Sequence, residues 1–292
     1  MELLIYLILF LLVLIVSSTT NKLLPFLPLP LVQILLGIVI GLFLPNTDFH
    51  LNTELFLALV IGPLLFRESE EADITAILKH WRIIVYLIFP VIFISTLSLG
   101  GLAHLLWLSL PLAACLAVGA ALGPTDLVAF ASLSERFSFP KRVSNILKGE
   151  GLLNDASGLV AFQVALTAWT TGAFSLGQAS SSLIFSILGG FLIGFLTAMT
   201  NRFLHSFLLS VRATDIASEL LLELSLPLVT FFLAEEVHVS GIIAVVVAGI
   251  LKASRFKKIT LLEAQVDTVT ETVWHTVNFM LNGSVFVILG ME

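Results

Sequence analysis

About ten apolar runs of roughly 15–25 residues follow one another along the chain, each near the length a helix needs to cross the hydrocarbon core of a bilayer. They lie at 3–18, 26–44, 51–66, 82–106, 110–133, 146–170, 181–201, 217–235, 239–252 and 273–290. Hydrocarbon offers no hydrogen bonds, so every spanning backbone N–H and C=O must be satisfied within the protein, and apolar runs of this length do so as helices. The composition agrees. Hydrophobic residues make up 58% of the chain, charged residues 12%, and the mean hydropathy is +1.07. A soluble domain is nearer half apolar and a quarter charged. The expected fold is therefore an all-α polytopic membrane protein. No low-complexity linker interrupts the runs, so 1–292 reads as a single transmembrane domain. The opening MELLIYLILFLLVLIVSS lacks a basic n-region and a small-residue cleavage site, and reads as a retained first span.

The basic residues test this segmentation independently. The chain has 14 Lys and Arg. Counting loops by the spans they join, Lys22 falls in loop 1–2, and Arg67, Lys79 and Arg82 in loop 3–4 and its flanks. Loop 5–6 holds Arg136, Lys141, Arg142 and Lys148, loop 7–8 holds Arg202 and Arg212, and loop 9–10 holds Lys252, Arg255, Lys257 and Lys258. The even loops have none. The positive-inside rule then puts the odd loops in the cytoplasm and the N-terminus outside. There is no basic tract for nucleic acid, and no such partner is expected. The one cysteine, Cys115, sits in an apolar run and reads as a small buried hydrophobe.

Two aspartates break the apolar pattern. Asp126 lies in GAALGPTDLVAF (119–130) and Asp155 in GEGLLNDASGLVAF (149–162). A charge near the bilayer centre costs about 2.5–3.5 kcal/mol on insertion scales, so such residues mark ion or proton paths. Asp126 is roughly 10 Å from the inner end of the fifth span and Asp155 roughly 9 Å into the sixth, at 1.5 Å per residue. The two carboxylates can thus meet across one cavity. Gly123 and Pro124 precede Thr125 and Asp126, and a proline at this place breaks or kinks the helix. Broken helices carry the ion sites of many transporters. On the sixth span, Glu150, Asn154 and Gly158 share one face at i, i+4 spacing. Glu150 is also open to a plainer reading, as an interfacial carboxylate paired with Lys148 or another cytoplasmic base. Glu219 and Glu223 are read in the same two ways, as partners of cytoplasmic bases or guards of an ion entrance. The pairs Gly37/Gly41, Gly119/Gly123 and Gly190/Gly194 read as helix contacts. The stretch 253–272 reads as an amphipathic cytoplasmic connector.

These motifs carry a resemblance. GPTDLVAF (123–130), LSERFSFPKRV (133–143) and LKGEGLLNDASGLVAF (147–162) resemble the monovalent cation:proton antiporter-1 family, as do GPLLF (62–66), LAEEVHVSGIIAVVVAGI (233–250) and LNGSVFVILGME (281–292). The resemblance implies exchange of Na⁺, Li⁺ or K⁺ for H⁺ by alternating access, an inverted-repeat fold of about ten transmembrane helices here, and a homodimer in the plasma membrane. It implies that Asp155 binds the cation or the proton, with Asn154 as its neutral partner. Asp126 and Thr125 would be ligands from the broken helix at Gly123–Pro124. Glu150 and Glu68 would be supporting carboxylates, Glu68 by its place after GPLLF. Na⁺ is then a substrate, bound by Asp155, Asp126 and Thr125, and no cofactor is expected.

The chain also departs from the family pattern. Leu127 stands where proline often follows the aspartate, and Gly151 where serine often follows the glutamate. The resemblance implies about three further spans, so the expectation is of a C-terminally truncated antiporter. The chemistry is competitive: one desolvated carboxylate holds either a proton or a cation, and exposing it to each side in turn couples the two gradients. An Asn-Asp pair offers one titrating group, which implies one-for-one, electroneutral exchange. Two other readings stay open, an inactive or regulatory membrane fragment and a cation channel with the same acidic cavity. An enzyme is disfavoured, because no HExxH, GxSxG or Walker motif is present.

Overall fold

The structure is a computed structural model that describes residues 2–24, 26–43, 52–124, 139–171, 176–211, 215–253 and 261–291. Every element among them is helical. In chain order they are α1 (Glu2–Leu23), α2 (Leu29–Phe43) and α3 (Thr53–Phe56), which runs through a π turn (Leu57–Ile61) into α4 (Gly62–Glu71). Then follow α5 (Ile74–Leu106), α6 (Leu112–Leu122), α7 (Lys141–Thr171) and α8 (Leu176–Ser210). The last are α9 (Ile216–Glu236), α10 (Gly241–Ala253) and α11 (Leu261–Met291).

Local chemistry sets several boundaries. The Asn52 side chain accepts from the N–H groups of Glu54 at 2.9 Å and Leu55 at 3.2 Å, capping α3. Asp215 does the same ahead of α9, accepting from Ser218 N–H at 2.9 Å. That contact, with the Ser218 side chain as the larger cause and its backbone N–H next, holds the exposed Asp215 carboxyl below its usual value. The π turn precedes Pro63, with Gly62 N–H donating to Leu57 C=O five residues back. Such wider turns insert one residue into an otherwise regular helix.

Each apolar run meets a helix, and the run at 110–133 does so as far as Leu122. Among the described residues, Phe185–Ser210, Ile216–Glu236 and Thr268–Met291 are long and apolar enough to cross a bilayer, and six shorter apolar helices accompany them. The helices outrun the hydropathy. The structure begins α5 at Ile74, α7 at Lys141 and α11 at Leu261. The second half of the amphipathic connector expected at 253–272 is thus helical, continuous with the last apolar run. Lys252 is also not a loop residue: it lies in the last turn of α10 and is buried. Hydropathy detects the lipid-facing middle of a helix and is blind to helix that continues into the polar zone.

The chain divides into two compact units, one of Met1–Leu64, Thr214–Leu221 and Lys258–Glu292, the other of Leu65–Ala213 and Leu222–Lys257. In the first, α2 packs on α11 and α1 on α2. Gly37 and Gly41 lie against the α11 backbone at Val287, Gly290 and Met291, as the small-residue pair predicts. Leu14 and Gln33 close over Gly283 on the same helix. In the second unit, α5, α6 and α7 pack on one another, and α10 packs on α8. Ile84 and Ile92 of α5 meet Ile77, Ile146 and Ala161, joining α5 to α7. Gly190 lies on the Ser240 carbonyl just ahead of α10, and Gly194 on the α10 backbone at Ala244. Buried Thr230 donates to the Thr197 hydroxyl at 3.0 Å, tying α9 to α8.

Candidate ion-binding site

The site is built where the end of α6 reaches α7. The α6 helix starts after Pro111 and runs for 11 residues through small side chains, with Ala114, Cys115, Ala117, Gly119 and Ala120 buried. It stops at Leu122, with Gly123 as its last helical-geometry residue, φ −76° and ψ −38°. Pro124 follows, where a proline disfavours continuing the helix, and the residues beyond it lie outside the described residues. A Cβ added at Gly119 would overlap the Thr96 carbonyl oxygen of α5, so the two backbones touch there.

The ring of Pro124 lies on α7 at Gly158, so closely that any Cβ at Gly158 would overlap it. Gly158 is one turn beyond Asn154, which is one turn beyond Glu150. Asn154 is fully buried and Glu150 is 5% exposed. The Asn154 Nδ2 donates to Glu150 Oε1 at 2.9 Å. Glu150 is therefore a buried member of this stripe. A buried carboxylate must be hydrogen-bonded to be tolerated, and the asparagine amide supplies one such donor.

The predicted residues divide as follows. Asn154 and Glu150 meet on α7, and one turn beyond Asn154 the Pro124 ring lies on Gly158, while Gly123 faces Ser95 of α5. Asp155 is carried by α7 next to Asn154, and its side chain lies outside what the structure describes. Thr125 and Asp126 lie outside the described residues. Glu68 is on α4, half-buried. Among the described residues no group of three or more His, Cys, Asp and Glu side chains comes together to hold a metal ion. Cys115 is fully buried, as expected, with its sulfur 4.0 Å from His104 Nδ1.

One cluster escaped the sequence. Glu223 pairs with Lys252 at 2.6 Å, and Lys252 also reaches Glu70 at 2.9 Å. The expectation for Glu223, a partner among the basic residues, holds, but with a buried lysine on another helix. The signal that could have found it is GILKA, where Lys252 falls three residues after Gly249 at the end of an apolar run.

The model of the sodium/hydrogen exchanger transmembrane family matches residues 7–292. A sodium, potassium, lithium and rubidium/H⁺ antiporter of Bacillus subtilis is 38% identical over 95% of this chain and 41% of its own length. An uncharacterized Na⁺/H⁺ exchanger of Escherichia coli is 31% identical over 100% of this chain and 53% of its own. The chain thus spans about half the length of the curated relatives it matches. The structure of the sodium proton antiporter MjNhaP1 from Methanocaldococcus jannaschii superposes with a TM-score of 0.76 at 21% identity, over 100% of this chain and 71% of that one, a shared fold. With its apolar helices and a family match along nearly its whole length, the chain belongs to the sodium/hydrogen exchangers, a family of multi-pass membrane transporters.

Proposed function

We propose that the chain forms the transport region of a secondary antiporter that exchanges Na⁺, Li⁺ or K⁺ for H⁺ by alternating access, serving pH and sodium homeostasis. In this reading 1–292 is part of one exchanger domain. Asp155, Asp126, Asn154 and Thr125 take the cation or proton, and Glu150 and Glu68 support them. The observation that carries the reading is the buried stripe on α7. Asn154 is fixed by Glu150, and one turn further the end of α6 rests on Gly158. The residues after that contact are Thr125 and Asp126, and the residue after Asn154 is Asp155. An asparagine amide does not change charge at neutral pH, which leaves a single titrating group at this pair and favours one-for-one, electroneutral exchange. The breadth of cations follows the name of the Bacillus subtilis relative. The protein is read as a homodimer in the plasma membrane, a bacterial inner membrane, with its N-terminus outside and the odd loops cytoplasmic.

The test is Asp155→Asn in the full-length native protein, assayed in everted membrane vesicles. It abolishes Na⁺-dependent proton movement while membrane insertion is kept. Near-normal exchange by this variant overturns the assignment.

A further inference from the structure

Five charged side chains on α4, α9 and α10 form a continuous series of alternating sign: Glu223, Lys252, Glu70, Arg67, Glu71. The Lys252 ammonium is 2.6 Å from Glu223 Oε1 and 2.9 Å from Glu70 Oε1, and its side chain is 7% exposed. Arg67 continues the series with Nη1 at 3.0 Å from Glu70 Oε2 and Nε at 2.7 Å from Glu71 Oε1. The same ammonium sits 5.5 Å from the centre of the Phe66 ring. One turn before Lys252, the α10 backbone meets α4 directly: a Cβ at Gly249 would stand 2.6 Å from the Phe66 carbonyl oxygen and 2.7 Å from Ser69 Cβ. Two consecutive helices, α9 and α10, are thus tied to the sequence-distant α4 at one buried cation.

A buried ion pair is a weak source of stability but a strict constraint, because removing one partner leaves an uncompensated charge in a low dielectric. Here the constraint acts on the rotation of α4. At about 100° per residue, Phe66 and Glu70 lie on the same side of that helix and Glu68 roughly opposite. Holding the first two against α10 sets the direction of the third.

We propose that Lys252 is a positioning residue for ion exchange. By joining Glu223 of α9 to Glu70 of α4 it fixes the rotation of α4, and with it the presentation of Glu68. The inference rests on the antiport reading, in which Glu68 supports the cation site.

The test uses the full-length protein, purified and reconstituted, with two readouts: the Na⁺ dependence of proton movement in liposomes, and the Na⁺-dependent rise in unfolding temperature in detergent. Lys252→Met raises the half-saturating Na⁺ concentration about three- to tenfold, with the maximal rate changed less than about twofold. Glu223→Gln weakens the same tie with milder damage and moves half-saturation in the same direction, so the test stands if the lysine variant does not fold. In a Glu68→Gln background, Lys252→Met adds nothing further to the Na⁺ dependence of unfolding, because both act through one group. The proposal is overturned if only the maximal rate falls, if half-saturation stays at the wild-type value, or if the Lys252 and Glu68 effects add. Asp155→Asn, run in parallel, separates the two levels: if it exchanges normally the antiport reading fails. If it is inactive while Lys252→Met binds Na⁺ like the wild type, only the positioning role fails.

Discussion

Replacing Gly158 by alanine probes the contact on which the candidate site is assembled. Two opposed effects set its magnitude. Alanine in place of glycine favours a helix by about 0.8–1.0 kcal/mol. The new methyl, however, would overlap the Pro124 ring, and α6 is held from its other side by the Thr96 and Ser95 region of α5. Forcing a methyl into a well-packed contact costs about 1–3 kcal/mol. The net expectation is a loss of stability between roughly zero and about 2 kcal/mol, combining the two. Gly101 supplies the control. It lies inside α5 with no atom within 4 Å of an added Cβ, so Gly101→Ala keeps the favourable part alone. The two variants should therefore differ by about 1–3 kcal/mol, with Gly101→Ala the more stable. Thermal unfolding of the purified proteins in one detergent measures the difference, and vesicle assays should show slower exchange for Gly158→Ala only. A Gly158→Ala protein that melts at or above Gly101→Ala would mean that Pro124 is not pressed on α7, and the account of the site would have to be rebuilt.

Other outcomes follow from the same chemistry. Cysteines placed at Asn46 and Lys141 in a Cys115→Ala background should be labelled from opposite sides of the membrane. Labelling of both from outside intact cells by an impermeant reagent would refute the orientation. Thr197→Val should cost more than Thr230→Val. It strips the acceptor from a fully buried Thr230 hydroxyl, about 1–3 kcal/mol for an unsatisfied group, whereas the Thr197 hydroxyl retains the Ile193 and Gly194 carbonyls in the second variant. Equal unfolding temperatures for the two would contradict this. Asp215 has its folded pKa lowered, so its ionised form caps α9 at neutral pH, and that contribution is lost as pH falls below its ordinary 3.8. The stability gap between wild type and Asp215→Ala should then be present at pH 7 and close towards pH 3; a gap that is constant with pH excludes the charged cap.

The helices were legible from hydropathy because a bilayer imposes a length on apolar runs, and the face shared by Glu150, Asn154 and Gly158 was legible because helical spacing is fixed. What the spacing left open was the partner. For Glu150 the sequence offers a cytoplasmic base as partner, and only the packing shows it 5% exposed beside the Asn154 amide. Lys252 shows the limit more sharply. A basic residue at the end of an apolar run looks like a cytoplasmic anchor, and only the approach of the preceding helix α9 and of α4, far away in sequence, reveals two carboxylates around it. The helical start of α11 at Leu261 was hidden for a different reason. Its first turns mix polar and apolar residues, so hydropathy alone does not mark them.

The unequal lengths of the helices mean that membrane thickness is not felt evenly through the molecule. With 35 residues, α8 extends about 52 Å at 1.5 Å per residue. That exceeds a hydrocarbon core of about 30 Å, so changes in acyl-chain length are absorbed by its tilt or by how far it protrudes. With 11 residues, α6 extends only about 16 Å. It cannot touch both leaflet surfaces, and its terminal backbone groups must be sheltered by protein rather than by headgroups. Among the described residues α6 packs on α5 and α7 while its Leu112, Val118 and Leu122 stay exposed, so a change in bilayer thickness reaches the end of α6 at Pro124 mainly through the longer helices that hold it.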